Sequence, residues 1–355
     1  MNEKLSIKDI AKRLNVSTTT VSFVINGKAA EKSISKKVTA KVLKLVEELG
    51  FRPNSFAKGL RTGKSNTIGF LVDDISMPFF SGIARFLEEK AALNGYKILF
   101  ASTGIEKNKF RDLIGVFTER RVEGYVIATA EGIEEEIKEL ISSEVPVVLF
   151  DRYLPNIAAD YVLVDNFGST FQATSHLIGN GYRNCAFITI ETQQQQMMDR
   201  LEGYRKAVLS NRGQEHILKL KYTGPGSTVE GIQNFLDHLT DIDAVIFGTN
   251  YITMEGLRAL RNAKDEIRND IALVSFDDFE LLEFISPPIT AIEQPLDKIA
   301  AHIMELLLSR ISHTSSPDSC CTVNIPCTLN VRASSLPRPH VYIKKATERE
   351  HFKMR

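Results

Sequence analysis

From Asn66 to about Gln294 the chain repeats one pattern, a short continuous apolar run followed by an amphipathic stretch. The runs are 67–72, 97–101, 124–128, 145–150, 161–164, 185–190, 244–247 and 271–276. Runs this short, without polar alternation, read as strands covered on both faces. Helical stretches such as 80–94 and 167–180 lie between them. A strand–helix–strand order implies parallel sheets, because a parallel partner can be reached only through a crossover. Eight runs are enough for two doubly wound lobes, with the split near Asp165–Asn166. After Gln294 a helix over 295–308 is expected to cross back.

The first 65 residues follow a different pattern. The 355-residue chain has 44 Lys+Arg against 44 Asp+Glu, but residues 1–65 hold 14 against 5, a net of +9. A basic segment fused to an acidic remainder is the composition signal of a nucleic-acid-binding module. Ile7, Ile10, Ala11 and Leu14 share a helical face, and Ser6 with Asp9 resembles a capping box. Asn15 suits a left-handed turn, and Ser17 caps a second helix over 18–25 with Val21, Val24 and Ile25 inward. Asn26-Gly27 stops that helix. A third runs from the cap Ser35 to about Leu49, with Val38, Val42, Leu45 and Val46 inward, and Gly50 ends it. Three helices with a tight first turn describe a helix-turn-helix unit. Thr18, Thr19, Ser22 and Phe23 would then face a DNA major groove. A plain three-helix bundle with a solvated lysine face fits the same pattern.

Other chemistry finds little support. No apolar run approaches the ~18–20 residues needed to span a bilayer. The segment 1–14 lacks the apolar core of a signal peptide, so cytoplasmic residence is expected. Cys185, Cys320, Cys321 and Cys327 form no zinc-type pair and read as reduced thiols. Seven scattered histidines form no Ser/His/Asp grouping, so no catalytic residue, metal or cofactor is expected, and the chain does not read as an enzyme. Acidic and amide residues do gather at the expected strand ends: Asp73-Asp74, Asp151, Asp165-Asn166, Asn250 and Asp277-Asp278. Ligands on such sheets sit at the carboxyl ends of strands. A strand-end Asp can equally be a helix cap.

The head segments Ser6-Ile-Lys-Asp-Ile-Ala, Val16-Ser-Thr-Thr-Thr-Val-Ser22, Asn26-Gly27 and Gly50-Phe-Arg-Pro-Asn54 resemble, in order, the DNA-binding head of the lactose-repressor (LacI/GalR) family. The resemblance implies a pseudo-palindromic double-stranded DNA operator, with Ser6, Ser17, Thr18, Thr19, Thr20, Ser22, Phe23 and Asn26 at the duplex. It also implies a hinge helix in which Asn54, Ala57 and Leu60 approach the minor groove, Leu60 wedging between base pairs. Phe23 departs from the family's frequent Arg. Phe donates no hydrogen bond but can contact a thymine methyl.

The resemblance continues to about Ser334. Asp74-Ile-Ser-Met-Pro-Phe-Phe80, Arg120-Arg-Val-Glu-Gly124, Pro146-Val-Val-Leu-Phe-Asp-Arg152, Arg200-Leu-Glu-Gly-Tyr204, Ser275-Phe-Asp-Asp278 and Gln294-Pro match it. It implies a two-lobed, periplasmic-binding-protein-like α/β body that binds a small effector, a sugar or sugar derivative. Phe79 and Phe80 would pack on the effector. Arg200, Asn250 and Asp277 would hydrogen-bond it, with Asp74, Asp151 and Asp165 near. Met77 and Tyr251 replace a usual Asn and Asp, Gln193–Gln196 fill a variable loop that reads as solvated, with amides reaching a sugar as the alternative, and an aromatic frequent near Gly226 is missing.

The expected organisation is a head over 1–50, a hinge over 51–64 and a body over 65–336. Lobe 1 covers about 65–165 and 295–323, and lobe 2 about 166–294 and 324–336. The tail, 337–355, has 6 Lys/Arg against 2 Asp/Glu and no leucine heptad, so a disordered tail and a homodimer are expected. A regulator, read as a repressor, is the function implied. A solute-binding or sensor protein without operator binding shares the body and is the alternative.

Overall fold

In the computed structural model the described residues are 6–51, 64–104, 106–129, 132–238, 241–261, 271–314 and 319–337. Contacts divide the chain into two units, Met1–Asn66 and Thr67–Arg355. Asn54, Ala57 and Leu60 lie outside the described residues, as does the tail beyond Pro337.

The first unit holds α1 (Ile7–Leu14), α2 (Thr18–Ile25) and α3 (Lys36–Glu48). Asp9 accepts from the Ser6 N–H at 2.8 Å and its hydroxyl at 2.6 Å, which holds the Asp9 carboxyl below its usual range. Asn15 takes the left-handed turn, φ 51°. Ser17 accepts from the Thr20 N–H at 3.0 Å, and Ser35 from the Val38 N–H at 3.3 Å. Ile10, Ala11, Val21, Val24 and Val42 form the buried centre. The core is small, so each cap is a sizeable share of its stability. Ser17→Ala leaves the Thr20 N–H unpaired and is expected to destabilise the head by ~1 kcal/mol. Faster amide exchange at Val21 and Val24 in the full chain would register this, and unchanged exchange would refute it.

The second unit is built on two six-stranded sheets. The first contains β1 (Thr67–Val72), β2 (Lys97–Ser102), β3 (Gly124–Ala128), β4 (Val147–Phe150) and β5 (Asp160–Val164), joined at its edge by β11 (Thr322–Ile325) in the order β11-β5-β4-β3-β1-β2. The helices α4 (Pro78–Leu93), α5 (Lys107–Glu119) and α6 (Glu134–Ser142) connect them. The second sheet contains β6 (Cys185–Ile190), β7 (His216–Leu220), β8 (Ala244–Phe247), β9 (Ala272–Phe276), β10 (Thr290–Glu293) and β12 (Thr328–Asn330), in the order β12-β10-β9-β8-β6-β7. Its helices are α7 (Asn166–Gly179), α8 (Gln195–Ser210), α9 (Val229–His238), α10 (Asn250–Arg261) and the short α11 (Leu281–Phe284). All pairings are parallel except β10–β12.

The chain crosses between sheets after Val164, after Glu293 and after Ile325. The last crossing comes two residues later than expected, because β11 stays paired with β5 through Ile325↔Val164. Helix α12 (Leu296–Ile311) returns to the first sheet, burying Ile299, Ala300, Ile303, Met304 and Leu307 beside Ile83 and Leu87 of α4. Burying an apolar side chain of this kind contributes about 1.5–3 kcal/mol.

Four strands escaped the sequence pattern. In β7 only partial burial is reached, since it is a sheet edge, and β10, β11 and β12 are three or four residues long. As a result Asn250 follows the eighth strand and Asp277 the ninth.

Candidate functional site

Strands β4 and β9 end alike, each in Phe-Asp. Asp151 has φ 70° and Asp277 φ 76°, a left-handed conformation that turns each side chain out of its strand. Asp151 N–H donates to Val162 O at 3.3 Å and Asp277 N–H to Ile292 O at 3.1 Å, so the neighbouring strand holds each turn. The equivalence places one carboxylate at the carboxyl end of each sheet, where such folds bind ligands.

On the first sheet Asp151 is buried beside Arg152, whose Nε lies 3.3 Å from its Oδ2. Arg152 also pairs with Asp73 and donates to the Thr129 carbonyl. Burial pushes the Asp151 carboxyl up; Arg152 and Arg200 oppose that, while Asp73 and Asp277 reinforce it. The charges of the two sheets therefore act on one another.

On the second sheet Arg200, 4% exposed, is held in three directions. Its Nε donates to Asn166 Oδ1 at 2.8 Å and its Nη1 to Gly248 O at 2.9 Å. Its guanidinium carbon stands 3.5 Å above the Phe276 ring centre. Planar guanidinium stacking of this kind is specific to Arg. Asp277 accepts from the Asn250 N–H at 3.2 Å and from Gln294 Nε2 at 2.6 Å. Tyr251 tilts against Tyr222 with ring centres 4.7 Å apart, and burial pushes its hydroxyl up to about 12.

A cavity of about 420 Å³ opens between the lobes at the Gln294–Pro295 crossing. Phe79, Asn250 and Asp277 line it, together with Gln294, Phe86 and Phe279. Asp151 and Arg200 lie outside its lining, yet they join the same carboxyl-end charge cluster.

Three expected residues do other work. Phe80 is 4% exposed and packs edge-on to Phe150 at 6.3 Å, inside the first lobe's core. Neighbours on a helix point about 100° apart, so only one of Phe79 and Phe80 can face the cleft. Asp165 caps α7, accepting from the Gly168 N–H at 2.8 Å. Asp74 is exposed and accepts from the Ser76 N–H at 2.9 Å, closing its own turn. The expected loop 193–196 ends at Gln194, since Gln195 and Gln196 open α8; Gln193 and Gln195 are solvated, but Gln196 is 6% exposed. Met77, at the start of α4, provides no side-chain cap and packs against the core instead.

Among the described residues, five buried polar atoms at the carboxyl ends of the sheets make no hydrogen bond: Asp73 Oδ1, Arg152 Nε, Thr189 Oγ1, Gln196 Oε1 and Gln294 Oε1. Leaving such an atom unpaired costs about 1–3 kcal/mol. Sequence reasoning passed over Arg152 and Gln294 as site residues. The signal for both was present: Arg152 follows Asp151 directly, and Gln294 opens the matched Gln-Pro pair.

In the head, Thr18 and Thr19 are exposed on the first turn of α2 and Ser22 is partly exposed. Thr20 faces Ser17, hydroxyl to hydroxyl at 2.8 Å, and Asn26 Nδ2 donates to the Ser22 carbonyl at 2.7 Å. Phe23 is partly buried, with Lys32 Nζ 5.7 Å from its ring centre. No helix of the described residues is long and apolar enough to cross a membrane.

Residues 6–54 match the family described as bacterial regulatory proteins, lacI family, and residues 174–335 match the periplasmic binding protein-like domain. The HTH-type transcriptional regulator RegA of Clostridium saccharobutylicum is 31% identical over 312 residues, 86% of this chain and 92% of that protein. Catabolite control protein A of Priestia megaterium is 28% identical over 336 residues, 93% of this chain and 99% of that protein. Among solved structures, a complex of the transcriptional regulator CelR with cellobiose is 26% identical at a TM-score of 0.68, covering 93% of this chain and 99% of the other. The chain belongs to the lacI family of bacterial regulatory proteins: it is a DNA-binding transcriptional regulator, not an enzyme.

Proposed function

We propose that this lacI-family regulator acts in the cytoplasm as a homodimeric repressor whose hold on a pseudo-palindromic operator is set by a sugar or sugar derivative bound between its lobes. The observation that carries the sugar reading is the set of unpaired polar atoms at the carboxyl ends of both sheets. A ring with several hydroxyls satisfies atoms spread over two walls at once. The relative CelR, solved with cellobiose, supports the same class.

Thr18, Thr19, Ser22 and Phe23 read the major groove. Ser17, Thr20 and Asn26 hold the reading helix in shape, and Ser6 does the same for α1. Asn54, Ala57 and Leu60 carry the minor-groove contact inferred from the sequence. Within the body, Asp277 and Asn250 grip the effector, Phe79 packs on it, and Arg200 and Asp151 fix the field around it. An effector that prefers one lobe angle shifts the spacing of the paired hinges. Coupling of ~1–3 kcal/mol is typical of such linkage.

Fluorescence anisotropy of the full chain against genomic fragments tests this reading. Specific binding is expected, with the logarithm of affinity falling by ~0.9 per phosphate contact for each decade of salt. Addition of a sugar should change operator affinity. Failure to bind any fragment specifically at low salt would overturn the repressor reading.

A further inference from the structure

We propose that the interlobe cavity selects uncharged, hydroxyl-rich ligands and rejects phosphorylated ones, with the free Oε1 of Gln294 accepting a ligand hydroxyl. This rests on reading the cleft as the effector site.

The cavity is lined by the carboxylates of Asp277, Asp278, Glu293 and Asp297, and no Lys, Arg or His is among its lining residues. Arg332 neutralises one of them, bonding Asp278 at 2.8 and 2.9 Å. Glu293 accepts from Asn330 at 2.8 Å, and Asp297 stands exposed at the start of α12. The two cleft arginines outside the lining hold other partners: Arg200 gives Nε to Asn166 and Nη1 to Gly248 and stacks on the Phe276 face, and Arg152 pairs with Asp73 and Asp151 and donates to the Thr129 carbonyl. A phosphate here would meet carboxylates with no arginine fork to receive it.

Gln294 supplies an independent sign of what the cavity wants. The residue is 6% exposed, and its Nε2 donates to Asp277 Oδ1. A carboxylate accepts only, so the amide orientation is fixed with the oxygen away from Asp277. That oxygen has no partner. Of the other atoms without a hydrogen bond, Asp73 Oδ1 and Gln196 Oε1 are acceptors, Thr189 Oγ1 can donate or accept, and Arg152 Nε lies 3.3 Å from Asp151 Oδ2, so acceptors awaiting a donor predominate. Hydroxyls donate; a phosphate dianion does not.

The test is thermal-shift and calorimetric titration of the full chain with matched pairs: D-ribose and D-ribose 5-phosphate, D-glucose and D-glucose 6-phosphate, D-fructose and D-fructose 1-phosphate. The free sugar of a binding pair is expected to bind at least about tenfold more tightly than its phosphate. Gln294→Leu should weaken the free sugar at least about tenfold while operator binding persists. Asp297→Lys, at an exposed position, should narrow the gap within the pair. A phosphate that binds more tightly than its parent, or a Gln294→Leu protein that binds the free sugar normally, overturns the proposal and leaves the effector reading standing. No shift with either member of any pair overturns the sugar reading and the proposal with it.

Discussion

Asp277→Gly is expected to lower effector affinity by about 10–100-fold while the body stays folded, at a cost of about 1–3 kcal/mol for the donors left without their acceptor. The choice of glycine matters. Asp277 sits at φ 76°, where any residue with a Cβ is strained, so glycine relaxes the backbone while deleting the carboxylate. An alanine there would mix the loss of the carboxylate with added strain. The deleted group has two partners, the Asn250 N–H and Gln294 Nε2. Hydrogen bonds to a charged group contribute about 1.5–3 kcal/mol each, part of which the ligand itself would draw on. Gln294 also begins one of the three crossings between lobes, so Asp277 connects ligand contact to the segment whose path depends on lobe angle. Operator binding without effector should remain within about twofold. Anisotropy titrations with and without the bound sugar measure both quantities. A normal effector response in a folded Asp277→Gly protein would remove this residue from the site.

Much of this arrangement can be read in the chain because it follows from local rules. Ser17 and Ser35 cap their helices, and Asn15 takes the left-handed turn, since each needs only its own neighbours. The buried strands announce themselves because both faces are covered. Strand β7 does not, because an edge strand need not be apolar throughout. Phe80 could have been placed correctly: Phe80, Ile83, Ala84, Leu87 and Ala91 form one helical stripe, and Phe79 falls outside it. Asp165 could not, because capping and ligand binding ask for the same residue at the same strand end. The demand of Gln294 for a donor was invisible for another reason. It arises from Asp277 claiming one side of the amide, a contact across 17 positions that no spacing rule encodes.

Gly203→Ala is expected to lower stability by ~1–3 kcal/mol and effector affinity together, although residue 203 touches neither cleft nor ligand. A Cβ at Gly203 would overlap the Phe167 carbonyl oxygen and lie 3.1 Å from the Phe171 nitrogen, both backbone atoms of α7. Backbone cannot rotate aside as a side chain does, so α8 would have to move. It is pinned on its other side. Tyr204, fully buried, stacks on Phe187 at 5.3 Å, donates to Cys185 O at 2.8 Å and accepts from the His216 N–H at 2.8 Å. One turn away, the Arg200–Asn166 bond spans the same two helices at 2.8 Å. Opening the gap by a few tenths of an ångström would strain that bond first. Gly115→Ala is the matching control: it lies within α5 with nothing within 4 Å of the added carbon, and it should stabilise by ~0.5–1 kcal/mol. Thermal melts and sugar titrations of the two variants should therefore diverge in sign for stability, and only Gly203→Ala should lose affinity. Equal melting points would mean that the α7–α8 contact yields, and that Arg200 is not held by the closeness of these helices.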